Sequence, residues 1–140
     1  MNVVMIGAGY VGLVSGACFA EFGAQVTCVD KIKDRIDALN AGRMPIFEPG
    51  LDDLVQGNVK GGRLQFSTDL AASVPDADLI FIAVGTPTRR GDGHADLQYV
   101  YAAASEIAPQ LRGYTVIVDK STVPVGTARE VQRVISKANP

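Results

Sequence analysis

An α/β fold, with a doubly wound, mainly parallel sheet and helices on both faces, is predicted by three features of this 140-residue sequence. Short apolar runs rich in β-branched residues recur at 3–6, 79–84 and 115–119, as expected of strands buried on both faces. Segments with apolar residues at helical spacing separate them. Gly7, Gly9 and Gly12 cluster where the first strand gives way to the first helix.

Val3, Val4, Met5 and Ile6 form the first strand, which Gly7 ends. Residues 10–22 then read as a helix whose Gly16, Ala17 and Ala20 can lie close against a sheet, and 24–29 resume as a strand closing on Asp30. The spacing of Gly7, Gly9 and Gly12 is G-x-G-x-x-G inside this βαβ unit. In a dinucleotide site Gly7 permits the tight turn, Gly9 lets the backbone approach a pyrophosphate, and Gly12 removes a side chain where helix and strand meet. The pyrophosphate is expected at the helix N-terminus, where the N–H groups of Tyr10 and Val11 lack intrahelical partners and the helix dipole favours negative charge. Asp30 lies 18 residues beyond Gly12, placed to accept from both hydroxyls of an adenosine ribose and to disfavour a 2′-phosphate. The expected fold is therefore Rossmann-type and the expected cofactor NAD rather than NADP.

No charged residue occurs between Val3 and Ala20, a run as long as a membrane span or a secretory signal. Four glycines interrupt it and no basic segment precedes it, so burial in a sheet is the reading adopted. One domain is expected from the length, and 47% hydrophobic with 20% charged residues suffices for a core. A formal net charge of -2 offers no electrostatic reason to expect nucleic acid or an acidic membrane surface. Cys18 and Cys28 fall in elements expected to be buried, as small core residues rather than a disulfide, and a cytoplasmic location is the expectation.

Residues 31–40 place Ile32, Ile36 and Leu39 at helical spacing with Gly42 as the stop, and Arg35 can reach back towards the adenosine side of a bound dinucleotide. Pro45 to Gly50 breaks the pattern, and Leu51, Leu54 and Val55 suggest a short helix inserted into the simplest unit. A third strand is expected at 64–67, followed by a helix through Val74 capped by Thr68 or Asp69. The most apolar strand, 79–84, must be central, and it delivers Gly85-Thr86-Pro87-Thr88 to the carboxyl edge, where ligands of open α/β sheets bind. Residues 89–95 read as a mobile surface loop, in which nothing fixes a titratable partner near His94. An alanine-rich helix at 97–111 and a buried strand at 115–119 follow. Val123 precedes a proline and is held extended, so 120–126 is a loop bringing Ser121 and Thr122 to the same edge as Thr86. A last helix starts near Thr127 and carries Val131, Val134 and Ile135.

Gly7-Ala8-Gly9-Tyr10-Val11-Gly12, Asp30, Glu48-Pro49-Gly50-Leu51, Val84-Gly85-Thr86-Pro87-Thr88 and Lys120-Ser121-Thr122-Val123-Pro124-Val125-Gly126-Thr127, in this order, resemble the NAD-binding domain of the nucleotide-sugar dehydrogenases. The resemblance covers the whole chain. Its last motif is more similar to the branch acting on UDP-glucose than to the GDP-mannose branch, and a UDP-N-acetyl-sugar is a further alternative. The resemblance implies oxidation of the sugar C6 alcohol to a carboxylate in two NAD-linked steps, through a thiohemiacetal and a thioester on a cysteine. It also implies that Val11, Asp30, Arg35, Thr86 and Thr122 contact NAD, Arg35 standing where the family often has lysine. Tyr10, Val84, Gly85, Pro87 and Ser121 are expected on the same cofactor-facing edge, and the resemblance implies that Thr122 borders the reacting centre and helps hold a water there.

Members of that family are two to three times longer, with a central helix, a UDP-sugar domain and the nucleophilic cysteine beyond residue 140, and form a homodimer as full-length enzymes. Residues 1–140 are therefore expected to be the cofactor domain alone, a fragment without turnover. Neither Cys18 nor Cys28 has a basic partner that would make it the nucleophile. The rival from another class is a stand-alone NAD-sensing module without chemistry. An epimerase-type or flavin-binding protein is disfavoured because no Tyr-x-x-x-Lys pair occurs. No metal site is expected.

Overall fold

The computed structural model describes residues 1–86, 96–121 and 123–139. The elements run β1 (Asn2–Ile6), α1 (Tyr10–Glu21), β2 (Gln25–Val29), α2 (Lys33–Asn40), α3 (Leu51–Lys60), β3 (Leu64–Ser67), α4 (Leu70–Ser73), β4 (Leu79–Ile82), α5 (Gln98–Ile107), β5 (Val116–Asp119) and α6 (Thr127–Ala138), with a 3-10 turn at Ala108–Gln110. The five strands form one sheet in the order β3-β2-β1-β4-β5, every neighbouring pair parallel. The strand expected to be central, β4, is interior and paired on both sides, while β1 holds the middle position.

Register explains the two-layer burial. Met5 pairs with Cys28 on one side and Phe81 on the other, so these side chains share a face with Val3, Val26, Leu64 and Phe66. Leu13, Ala17 and Ala20 of α1, Ile36 and Leu39 of α2, and Leu51 and Val55 of α3 cover that face. The ring of Phe19 stacks on Phe81 at 5.0 Å between centroids. The alternate residues Val4, Ile6, Val29, Ile80 and Ile82 point the other way, under Val100, Ala104 and Ile107 of α5 and Val131 of α6. Helices on both faces of a parallel sheet make this the doubly wound architecture read from the sequence.

Three expectations change. The inserted helix α3 is ten residues long rather than a short piece. Its buried Asn58 donates to the Glu21 carboxylate at 2.9 Å and to Leu54 O at 2.8 Å, and accepts from Arg63 Nε at 2.9 Å, a satisfied polar knot that fastens α3 to the end of α1. The strand β5 is half-buried rather than buried, because it is the sheet edge. Cys18 is half-buried, whereas Cys28 is fully buried under Gly16.

Burial, with the Asp30 charge as a smaller contribution, pushes the Cys28 thiol from its ordinary 9.0 up to about 12. In the native protein at neutral pH a thiol reagent is thus expected to label Cys18 and spare Cys28, which becomes reactive only in denaturant. Because the unfolded thiol ionises near 9 and the folded one near 12, this group opposes folding progressively above pH 9 and contributes nothing at pH 7. Rapid labelling of Cys28 in the folded chain would show that α1 does not seal it. Among the described residues no helix is long and apolar enough to cross a membrane, and no group of three or more His, Cys, Asp or Glu is placed to hold a metal.

Candidate dinucleotide site

The sheet reverses its winding between β1 and β4, and at their carboxyl ends lies a cavity of about 590 Å³, within the range of small-molecule sites. Gly7, Gly9, Asp30, Arg35, Val84 and Gly85, all expected at the site, line it. A second hollow of about 590 Å³ between α2 and α3 has Lys60 as its only charged lining residue and lies away from the glycine turn.

The turn out of β1 is held by β2. Gly7 N–H donates to Val29 O at 2.7 Å, and Ala8 N–H donates to Asp30 Oδ2 at 2.8 Å. Gly7 sits at φ +106°, and a Cβ there would meet Ala83 O at 2.5 Å, so both its conformation and its closeness to the end of β4 require glycine. A Cβ on Gly12 would lie 1.8 Å from Gly7 O, which is the close approach of helix to turn expected from the motif. Gly9 differs from both. Its Cβ would meet nothing nearer than Arg35 Nη1 at 4.0 Å, so the space above it is open.

Helix α1 starts without a side-chain cap, and its first hydrogen bond is Leu13 N–H to Gly9 O at 2.9 Å. The N–H groups of Tyr10, Val11 and Gly12 therefore face outward at the positive end of the helix. Tyr10 and Val11 are exposed, and Gly12 is buried. The Tyr10 hydroxyl donates to Glu48 at 3.0 Å, tying the 45–50 loop to the glycine turn, and this bond and the Glu48 charge raise the phenol above its ordinary 10.0.

Asp30 is the hub of the site. Its Oδ1 accepts from Ile32 N–H at 2.9 Å, while Oδ2 accepts from Ala8 N–H and from Arg35 Nη1 at 3.0 Å. The Asp30 side chain is 9% exposed and that of Arg35 34%. The reach of Arg35 towards the adenosine side is thus made through Asp30 itself. On the other side of the cavity Ser121 staples the strand ends together. Its Oγ donates between Ile82 O at 3.1 Å and Val84 O at 3.0 Å, and its N–H donates to Ile82 O at 3.0 Å. Thr86 is half-buried and, like Ser121, is not on the cavity wall. Pro87, Thr88, the 89–95 loop with His94, and Thr122 lie outside the described residues.

Asp119, at the end of β5, was not singled out from the sequence. Both of its carboxylate oxygens are buried without a hydrogen-bond partner among the described residues. Burial raises its carboxyl above the ordinary 3.8, outweighing the lowering effect of the nearby Ser121 N–H, which donates to Ile82 O rather than to the carboxylate. The far wall of the cavity was missed as well. Tyr99, Ala102, Ala103 and Glu106 line it from α5, and Lys31, Ile32, Thr68 and Leu70 complete it. The four α5 residues recur at i, i+3, i+4 and i+7, the one stripe from which their common direction could have been read.

The arrangement fits a dinucleotide: outward N–H groups, an open Gly9 and a carboxylate at the end of β2. The family model for the UDP-glucose/GDP-mannose dehydrogenase family, NAD binding domain, matches residues 1–140. The chain belongs to this family. As its NAD-binding domain, the chain is 65% identical over its whole length to a UDP-glucose 6-dehydrogenase of Rhizobium meliloti and covers 32% of that protein. It is 50% identical over 96% of its length to the UDP-glucose 6-dehydrogenase of Pseudomonas aeruginosa, covering 30% of it. Among solved structures, a ternary complex of a Pseudomonas aeruginosa GDP-mannose dehydrogenase superposes with a TM-score of 0.94 at 37% identity, over 99% of this chain and 33% of that one. A UDP-glucose dehydrogenase of Pyrobaculum islandicum superposes with 0.91 at 38% identity, over 98% and 32%. The NAD-binding domain described here thus spans about a third of the length of the relatives it matches.

Proposed function

We propose that residues 1–140 are the cofactor domain of an NAD-dependent UDP-glucose 6-dehydrogenase that converts UDP-glucose to UDP-glucuronate. The observation that carries this reading is the 65% identity, without loss of coverage, to a protein of that name. The solved GDP-mannose and UDP-glucose dehydrogenases are equally similar in sequence, at 37% and 38%, so the sheet and glycine turn alone do not select the sugar.

In this proposal Gly9 and the outward N–H groups of Tyr10 and Val11 hold the pyrophosphate. Asp30, positioned by Arg35, accepts from the adenosine ribose, and Val84, Gly85 and Thr86 run beneath the nicotinamide half. NAD, when bound, supplies the hydride acceptor. Ser121 fixes the loop that carries Thr122, and Thr122 orients a water at the reacting centre. The sugar-binding groups and the nucleophilic cysteine belong to the remaining two thirds of a relative-sized protein. Within this chain Cys28 is buried as a thiol and neither cysteine lines the cavity.

Calorimetry with each ligand added separately tests the division of labour: NAD is expected to bind and UDP-glucose alone is not. With both present, NADH absorbance should not rise, because hydride transfer needs the alcohol carbon held about 3–3.5 Å from the nicotinamide, and in this proposal the sugar-holding groups belong to the rest of a relative-sized protein. Substrate-dependent NADH from this chain would overturn the proposal. Full activity of a Thr122→Ala variant in a protein of the relatives' full length would remove Thr122 from the site.

A further inference from the structure

The carboxyl end of β2 carries more positive charge than an NAD site requires. Lys31 and Arg35 both line the cavity and follow Asp30 by one and five residues. A 2′-phosphate brings a charge of about −1.5 to −2 and three acceptor oxygens, and cations beside the ribose are what would receive it. Each of these cations is matched by a carboxylate lining the same cavity. Arg35 pairs with Asp30 at 3.0 Å, and Lys31 pairs with Glu106, which reaches across from α5, 75 residues away. The four groups Asp30, Lys31, Arg35 and Glu106 sum to zero charge, half of the negative charge coming from Glu106. A lysine without that partner would leave this end of the cavity net positive beside the ribose position.

We propose that Glu106 is a second determinant of the preference for NAD over NADP, acting by engaging the Lys31 ammonium and cancelling its charge at the ribose end of the cavity. The proposal rests on the reading that the adenosine ribose lies at Asp30. The pair is not there for stability. The side chains of Lys31 and Glu106 are 72% and 44% exposed, and such surface pairs contribute little to folding. Its position on the cavity mouth, joining α5 to the end of β2, gives it a role in selection instead. Lys33, the neighbouring cation, pairs with Asp37 along its own helix and does not line the cavity.

The test measures dissociation constants for NAD and NADP, with 5′-AMP and 2′,5′-ADP as fragment probes, at low and high salt. The proteins are the unaltered chain, Glu106→Gln, Lys31→Met and the double variant. Glu106→Gln should improve NADP relative to NAD by about threefold to tenfold, the effect of uncovering one charge at a partly solvated distance. The gain should shrink in high salt and be absent when Lys31→Met is added. An unchanged NADP-to-NAD ratio in Glu106→Gln, or a gain that survives the loss of Lys31, would overturn the proposal. Equal weakening of both cofactors would also overturn it, making Glu106 a plain wall of the pocket. Asp30→Ala measured alongside checks the underlying placement. If it alters neither NAD affinity nor preference, the ribose is elsewhere, a failure distinct from that of Glu106.

Discussion

Gly12→Ala is expected to collapse both the stability of the chain and its affinity for NAD. The added methyl would lie 1.8 Å from Gly7 O and 2.9 Å from Gly7 C, both backbone atoms that no rotamer change can move aside. Either α1 must shift off the sheet or the turn must abandon the hydrogen bonds of Gly7 and Ala8 to β2. The cost should sit at the upper end of the roughly 1–3 kcal/mol typical of overpacking, or beyond it. For a domain of this size that is a fall in melting temperature on the order of 10 °C. Gly9→Ala is the informative companion. Its methyl meets only open space in the ligand-free fold, so the melting temperature should hold while NAD binding is lost to the methyl at the pyrophosphate face. Scanning calorimetry and NAD titration of the two variants separate the roles. A Gly12→Ala chain that melts with the unaltered one would contradict the close approach described here.

Asp30→Ala should weaken NAD binding by about 1–3 kcal/mol, the range for loss of a charged hydrogen-bond partner, or roughly fivefold to 150-fold in dissociation constant. NADP should gain relative to NAD, since the acid facing a 2′-phosphate is gone. The structure adds a component absent from a simple ribose contact. Asp30 also accepts from Ala8 N–H, Ile32 N–H and Arg35, so its removal leaves three donors without their acceptor and loosens the glycine turn. Part of the lost affinity should therefore appear against pyrophosphate-bearing fragments that lack a ribose contact. Calorimetric titration with NAD, NADP and inorganic pyrophosphate distinguishes the two contributions, and an unchanged cofactor preference would remove Asp30 from the ribose.

The β1-α1-β2 unit was legible because its signals are local. An apolar run, glycines at fixed spacing and an acid at the end of the next strand each act within 30 residues. The β3 strand at Leu64–Ser67 and the Asp69 cap, which accepts from Ala72 N–H at 3.0 Å, were readable for the same reason. The full length of α3 was hidden because Gly57 and Asn58 look like breakers. The helix continues through them because Asn58 finds Glu21 and Arg63, contacts that only the folded chain supplies. The exposure of β5 was hidden too, since hydrophobicity reports that a segment is a strand but not its rank in the sheet. Glu106 belongs to the same class. Nothing in a helix at 98–107 shows that its last turn meets Lys31, because the meeting is set by which strand lies beside which.

The knot of Asn58, Glu21 and Arg63 sits at the amino edge of the sheet, where α1 ends and β3 begins, whereas Gly7, Gly9, Asp30, Arg35, Val84 and Gly85, the described residues of the candidate dinucleotide site, line a cavity at the opposite edge. If the dinucleotide binds as proposed, the two rims of one sheet carry separate duties, anchorage on one and recognition on the other. Sequence drift that reshapes the anchoring rim can be absorbed without retuning the ligand, and the recognising rim can change its taste for nucleotides without unfastening the scaffold beneath it.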